Sequence, residues 1–344
     1  MKENKNPADI VLKLNVDCET YWDIYSLVEK GIFLNIIMGG RGIGKTEQCN
    51  GYNLEQYRDY GNQFIYLRRY KPECSNQKKL LDRWLDDVKF VGDKNGGGSY
   101  MWYGNTLGYL IPLSVASNYK STNFEKVTTI IYDEAIIRPS GQLRYMPNEV
   151  ECLLEFISTV FRHRTNGKVI ILGNNLCFFN PYCEYFKVKV FNDYYIDKKR
   201  GILIQYSKDS PKLRQIEEKT PLFKLTMGTT YHDYHYNNAV LTDKKINTVK
   251  KYNNDKLHLR ILLNEYTLNV YTRSTGKLLL ESKRKRINAS FSLSIINNSE
   301  CNFPNMSLFR QRWYDFICFR YYNDNIEFVD EDSYALLQEL LNMF

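Results

Sequence analysis

What the chain lacks narrows the field first. None of its eight cysteines (Cys18, Cys49, Cys74, Cys152, Cys177, Cys183, Cys301, Cys318) stands in a C-x-x-C pair. Its four histidines (His163, His232, His235, His258) have no companions at zinc-ligand spacing, which argues against a structural zinc site. His232 and His235 fall in a Tyr-rich turn and read as surface residues. No apolar run approaches the roughly 18 residues of a membrane-spanning helix. No secretory leader is expected from its first residues. Several thiols lie in apolar runs, as buried free cysteines do, so the expectation is a reduced, cytoplasmic protein with no membrane partner. A large charge imbalance is also missing. Lys and Arg number 47 against 39 Asp and Glu, a net +8, which suits a polyanionic partner without requiring one. There is no internal repeat.

A chain of 344 residues, 43% hydrophobic and 25% charged, is ordinary soluble material with room for two cores. The 28 Tyr and 18 Phe fit the codon usage of an AT-rich genome. Beyond an arm over 1–9, the patterning predicts a helix around Tyr21–Leu27, a strand Phe33–Met38, a helix Lys45–Tyr57 and a strand Gln63–Arg69. A charged helix Lys78–Val88, a glycine loop over 93–98 and a hairpin of Tyr100–Tyr103 with Tyr109–Leu113 follow. Then come a strand Val127–Tyr132, a helix Asn148–Arg162 and a strand Val169–Leu172. Alternating strands and helices imply a doubly wound, mostly parallel sheet, with antiparallel edge strands from Tyr182–Asp197 and Gly201–Tyr206. The character changes near Lys208. Asp209–Lys224 reads as a helical connecting segment. Leu257–Leu263, Tyr266–Thr272 and Lys277–Lys283 form a meander, and helices Leu308–Arg320 and Asp332–Met343 flank a strand Ile326–Val329. The expected organisation is an α/β domain over 1–208, a short helical linker over 209–228 and an α+β domain over 229–344.

The chemistry concentrates after the first strand. Gly39-Gly40-Arg41-Gly42-Ile43-Gly44-Lys45-Thr46 has the spacing G-x-x-x-x-G-K-[ST] of a phosphate-binding loop (Walker A). Glycines let backbone N–H groups turn inward around a triphosphate, and the helix that follows points its positive end at it. Lys45 is placed for the β- and γ-phosphates of ATP, Thr46 for Mg²⁺. Arg41 is placed for phosphate or the downstream carboxylates, or is a solvated loop cation. Val127–Tyr132 ends in Asp133-Glu134, a Walker B pattern: Asp133 serves the metal and Glu134 activates the attacking water. A nucleotide kinase has no need of that second acid, whereas a hydrolysing motor does.

Two further elements carry alternatives. In Phe161-Arg162-His163-Arg164, either arginine is a candidate to stabilise transition-state charge on a neighbour's nucleotide, yet cations at a helix C-terminus are favoured by the dipole alone. Asn174 is placed to hold the lytic water or Glu134, or belongs to an Asn-rich turn. Arg68, Arg69, Lys71 and Lys120 cluster near strand ends on the ligand side of such a sheet. Lys283-Arg284-Lys285-Arg286 is a solvated run or a phosphate-backbone contact.

Several strings resemble the DNA-packaging ATPases of small podophages, the phi-29-like family. They are the Gly39–Thr46 loop, Gln63-Phe64-Ile65-Tyr66-Leu67-Arg68-Arg69-Tyr70-Lys71-Pro72-Glu73, Ile111-Pro112-Leu113-Ser114-Val115, Tyr145-Met146-Pro147-Asn148-Glu149-Val150 and Thr159-Val160-Phe161-Arg162-His163-Arg164. The likeness covers about residues 31–180, thins through the linker, where Met227-Gly228-Thr229-Thr230-Tyr231 still fits, and is weak beyond. It implies an ASCE-type P-loop ATPase acting as a homo-oligomeric ring, a pentamer by the same resemblance. Such a ring moves double-stranded DNA into a preformed procapsid through the viral portal, in the host cytoplasm and transiently at the portal vertex, with a possible scaffold RNA. It implies Arg162 as an arginine finger in trans, Asn174 after the fourth core strand, and Lys71 and Lys120 as contacts to DNA or a neighbour. Where the family carries Ser-Asn at 173–174 this chain has Gly-Asn, and Thr46 replaces Ser. The family's second domain resembles an RNase H-like nuclease. Leu259–Asn264 carries no central Asp for its two metals, so a catalytically empty, vestigial nuclease is expected. The alternatives are an active terminase that cuts DNA, another oligomeric nucleic-acid translocase, or a module whose nucleotide is only structural.

Overall fold

The computed structural model describes residues 5–137, 145–173, 180–186, 188, 194–229, 232, 236, 248–263, 266–284, 289–293, 307–322 and 325–342. Contacts divide the chain into two units, one of residues 1–136, 150–176 and 189–238, the other of 137–149, 177–188 and 239–344. The contact boundary thus falls after Asn238, whereas the change in composition falls near Lys208.

The first unit is built on nine strands: β1 Leu34–Gly39, β2 Gln63–Arg68, β3 Val88–Gly92, β4 Gly98–Trp102, β5 Asn105–Pro112, β6 Val127–Ile136, β7 Lys168–Gly173, β8 Tyr194–Asp197 and β9 Ile202–Ser207. Their order is β3-β4-β5-β2-β6-β7-β1-β9-β8. The six from β5 to β9 run parallel. The hairpin partners β3 and β4 on one side and β8 on the other are antiparallel. Ile36 sits between Ile171 and Ile204, and Ile131 between Tyr66 and Ile170. All six residues of β1 are buried, because helices cover both faces of a parallel sheet. That is why these strands read as unbroken apolar runs.

Helix α1 (Ile24–Val28) is short and capped by the Asp23 carboxylate, which accepts from the Tyr25 and Ser26 amides. Helix α2 (Lys45–Tyr60) extends three residues past the expected end. It stops at Gly61, whose φ of +70° only glycine takes cheaply, and whose N–H reaches the Tyr57 carbonyl.

Four expectations need correcting. His232 is not a surface residue but is buried against Phe223 and Tyr236, while His235 lies outside the described residues. Lys78–Val88 is not a helix. Pro72 opens α3 (Lys71–Cys74) earlier, turns run through Trp84, and Val88 starts β3. Leu81, Trp84 and Leu85 are buried at helical spacing, but Asp82, Asp86 and Asp87 would crowd the negative end of such a helix. The stretch Tyr182–Asp197 is not one strand. Pro181–Tyr185 is a helix, α5, capped by Asn180, whose side-chain oxygen accepts from the Tyr182 and Cys183 amides. Asn-Pro is a cap followed by proline at the first helical position. Finally, β9 is parallel to β1, so of the two strands expected here only β8 is antiparallel. The connecting segment forms α6 (Pro211–Glu217) and α7 (Pro221–Thr226), capped by Ser210 and Thr220 with proline next. Both belong to the first unit.

The second unit holds a smaller sheet of β10 (Lys256–Leu263), β11 (Tyr266–Thr272), β12 (Leu278–Lys283), β13 (Phe291–Leu293) and β14 (Ile326–Phe328). The expected meander is present, with β13 parallel to β10 and β14 parallel to β12. Leu259, Ile261 and Leu263 alternate into a core shared with Leu336, Leu337 and Leu340 of the helix Glu331–Asn342. The chain is therefore a mixed α/β unit with a mostly parallel sheet followed by a smaller β-sheet unit. Among the described residues no helix is long and apolar enough to cross a membrane.

A Cβ on Gly51, inside α2, would lie 2.6 Å from the Trp84 ring and 2.7 Å from Val16. Gly51→Ala gains about 1 kcal/mol of helix propensity but overpacks at a cost of about 1–3 kcal/mol. A lower urea midpoint by tryptophan fluorescence is the expected outcome.

Candidate functional site

The loop between β1 and α2 is pinned from both sides. Gly42 and Gly44 both have φ of +84°, a conformation that favours glycine. A Cβ on Gly39 would stand 2.6 Å from the Ser207 carbonyl at the end of β9. One on Gly44 would stand 2.8 Å from Tyr21. The Trp22 amide donates to the Ile43 carbonyl at 2.9 Å. Lys45 is buried, and its Nζ donates to the carbonyls of Gly39 (3.1 Å) and Gly40 (2.7 Å). Burial pushes its pKa down to about 8, against the pull of Asp133.

Strand β7 separates β1 from β6, yet the loop and the end of β6 meet. Thr46 Oγ1 donates to Asp133 Oδ2 at 3.1 Å. The Tyr66 hydroxyl of β2 hydrogen-bonds the same buried carboxylate, and the Arg68 guanidinium is 3.6 Å away. Burial and the Asp133 charge drive the Tyr66 pKa well up. The next residue turns out of the strand. Glu134 has φ of +52°, the ladder to β7 shifts between Tyr132 and Ile136, and the Glu134 amide donates to Asp133 Oδ1 at 2.9 Å. The turn brings the half-exposed Glu134 carboxylate to 2.6 Å from Arg68 Nη2. Arg68 Nε is also 3.5 Å from Glu73. Burial alone would lower the Arg68 pKa, but Glu134, Asp133 and Glu73 outweigh it and hold it above the ordinary value. Arg69 braces the turn by donating to the Ala135 carbonyl at 2.6 Å.

Thr46 and Asp133 offer two oxygen donors side by side, which fits a hard divalent cation that completes its shell with water and phosphate oxygens. On the other flank of the loop is a cavity of about 360 Å³ lined by Tyr21, Gly42, Gly44, Glu47, Arg83 and Trp84.

The family model described as podovirus DNA encapsidation protein (Gp16) matches residues 16–316. The chain belongs to that family. It is 34% identical over 255 residues to the DNA packaging protein of Bacillus phage B103, covering 72% of this chain and 76% of the relative. The DNA packaging protein of Bacillus phage phi29 is 32% identical over 264 residues, covering 74% of this chain and 76% of the relative. A chain of the bacteriophage Phi-29 viral genome packaging motor assembly superposes with a TM-score of 0.59 at 25% identity, over 94% of this chain and 99% of that one. The Phi-28 gp11 DNA packaging motor shares the fold with a TM-score of 0.57 at 17% identity, over 94% of this chain and 98% of that one.

In this encapsidation-family chain the Gly39–Thr46 loop, Asp133 and Glu134 converge, while Arg41 is exposed. The two candidate arginines separate sharply. Arg164 donates to four carbonyls: Glu125 (2.6 Å), Val127 (2.7 Å), Phe124 (3.0 Å) and Val160 (2.8 Å). It stitches the end of helix α4 (Glu149–Phe161) to the start of β6. Arg162 is exposed, with φ of +50°. Both stand at the end of the sheet where β6 begins, opposite the glycine loop. Lys71 is exposed and packs against Gly96. Lys120 is exposed and 3.8 Å from Glu155. Lys283, 3.6 Å from Glu281, and Arg284 are also exposed. Asn174, Lys285 and Arg286 lie outside the described residues.

Sequence reasoning missed Tyr66 and Glu73 altogether and saw Arg68 only as a cation at a strand end. Their grouping requires knowing that β2 lies beside β6, a pairing no local pattern encodes. Arg164→Ala leaves four carbonyls, three of them partly buried, without this partner and should cost about 1–3 kcal/mol in thermal or urea unfolding. Arg162→Ala should stay within about 0.5 kcal/mol of the parent.

Proposed function

We propose that the chain is an ATP-hydrolysing motor subunit that drives double-stranded viral DNA into a procapsid through the portal. The observation that carries this reading is the meeting of the Gly39–Thr46 loop with Asp133 and Glu134 in a chain of the DNA encapsidation family. The loop is read as a P-loop of ASCE type. The amides of Gly40, Arg41, Gly42, Ile43 and Gly44 and the start of α2 face the phosphates, and Lys45 exchanges its carbonyl partners for phosphate oxygens. Mg²⁺, held by Thr46 and Asp133, neutralises phosphate charge when bound. The cavity beside Tyr21 is placed for the nucleoside. Glu134 is the base for water, and its pairing with Arg68 keeps the carboxylate aimed. Asn174 is assigned to sensing the γ-phosphate.

Arg162 is read as the finger offered to an adjacent subunit. Its place at the end of the sheet remote from its own loop supports action in trans, and the four carbonyls on Arg164 disqualify that residue. A homo-oligomeric ring follows. Lys71, Lys120 and the Lys283–Arg286 run are proposed contacts to DNA or a neighbour, with a scaffold RNA as a further partner. Residues 1–208 are read as the ATPase domain, 209–228 as linker and 229–344 as a vestigial RNase H-like nuclease. In the last, Arg273 pairs with Asp255 (3.4 Å) and Glu327 (2.6 Å), and Lys251 and Lys283 flank Glu281. Among the described residues no three His, Cys, Asp or Glu gather to hold a metal.

DNA-stimulated ATP hydrolysis tests the reading. Glu134→Gln should bind ATP with near-parental affinity and lose about 10²-fold or more in turnover, and normal turnover would remove Glu134 from its role. Arg162→Ala should be inactive alone, and mixing it with Lys45→Ala should restore part of the activity. No rescue at any ratio would refute action in trans. Plasmid DNA incubated with the full chain and Mn²⁺ should stay uncut.

A further inference from the structure

The chain leaves the large sheet at the mouth of the glycine loop. Ser207, the last residue of β9, is in register with Gly39, and the next ten residues carry two carboxylates back over the loop. A Cβ on Gly42 would be 3.8 Å from Glu217 Oε1. Glu217 Oε2 is buried and accepts no hydrogen bond among the described residues. Asp209 is close enough to make the ionisation of Glu217 costlier and to attract Lys45. Arg214, one turn earlier on α6, offsets this only in part. Its guanidinium is shared with Glu218 (3.4 Å), the Phe223 ring and the Tyr236 carbonyl. Glu217 also ends α6, where the helix dipole is negative.

Helix α6 is fastened to the other wall of the loop. Ser210 Oγ donates to the Thr20 carbonyl at 2.6 Å, and Lys212 pairs with Glu19 at 3.2 Å. The same turn lays Tyr21 over Gly44. The loop is thus gripped between an aromatic ring and an under-neutralised acid, both on segments outside the motif.

We propose that Glu217 is a nucleotide-responsive gate: a triphosphate seated in the Gly39–Thr46 loop expels its carboxylate from Gly42 and lifts α6 off the Glu19–Tyr21 turn. The inference rests on the reading of that loop as a triphosphate site. Like charges a few ångströms apart in a partly buried setting repel strongly, and helix C-terminal polarity adds to the repulsion. Movement of α6 also moves α7, which follows it after three residues, so site occupancy reaches the segment that leads out of the first unit.

The test compares the full parent chain with Glu217→Gln, reading MgATP affinity from pH 6 to 8.5 and trypsin cleavage after Lys212, Arg214 and Lys219. Burial raises the Glu217 pKa to about 7, so the parent carboxyl is mostly neutral at pH 6 and charged at pH 8. Asp209, Arg214 and Glu218 on the same segment, Arg41 and Lys45 on the loop, and ATP itself titrate or carry charge alike in both proteins, so the ratio of their affinities is the readout. Glu217→Gln should bind MgATP about ten-fold tighter at pH 8, with the advantage gone at pH 6. MgATP should speed cleavage of α6 in the parent, whereas Glu217→Gln, with no charge to expel, should be cleaved slowly with or without it. Equal affinities across the pH range, or α6 cleavage in the parent indifferent to MgATP, would overturn the gate while leaving the loop's reading intact. Absence of saturable MgATP binding to either protein would overturn both.

Discussion

Asp133 is a buried carboxylate whose three partners come from two separate stretches of chain: Thr46 at the start of α2, and Tyr66 and Arg68 from β2. A buried charge without partners is untenable, so this one dictates much around it. It holds the first turn of α2 against the end of β6 across an intervening strand. It also draws Arg68 inward, where the guanidinium meets Glu134 and Glu73. Loop, carboxylate pair and arginine therefore form one electrostatic unit. Its two acids follow a stretch of strand that is completely buried: Ile130, Ile131 and Tyr132 show no exposure. The rigid part supplies position, and the left-handed turn at Glu134 supplies the change of direction that aims two adjacent side chains differently.

What the sequence disclosed depended on how local the signal was. The glycine loop was legible because its residues are contiguous and each has a steric or electrostatic reason. The strands of the parallel sheet were legible because burial on both faces makes unbroken apolar runs, and the meander of the second unit because its strands alternate. The misread stretches are those where a local pattern had a second solution. Leu81, Trp84 and Leu85 are buried at helical spacing, but turns present them to the core equally well. Asn180-Pro181 is a helix start hidden in a run of aromatic residues that reads as strand. The orientation of β9 and the neighbourhood of Tyr66, Arg68 and Glu73 depend on strand order, a property of the whole sheet.

The two units use charge differently. In the first, the acids at the end of β6 share one arginine, and a hard cation fits beside them. In the second, opposite charges are already matched: Arg273 with Asp255 and Glu327, Lys277 with Glu327, and Lys251 and Lys283 with Glu281. Arg260, Asn269 and Glu281 lie across three neighbouring strands on one face, linked by side-chain contacts at 3.3 and 3.4 Å.

The four carbonyls gathered by Arg164 have a mechanical meaning. They weld the tip of α4 to the foot of β6, and β6 is hydrogen-bonded on both sides, to β2 and to β7. A strand clamped in this way resists shear. Arg162 projects from the weld, and Asp133 lies about 20 Å further along the strand at roughly 3.3 Å per residue. Force applied to Arg162 from outside is therefore not absorbed in a loose helix end. It is delivered along β6, as along a strut, to the carboxylates at its far end.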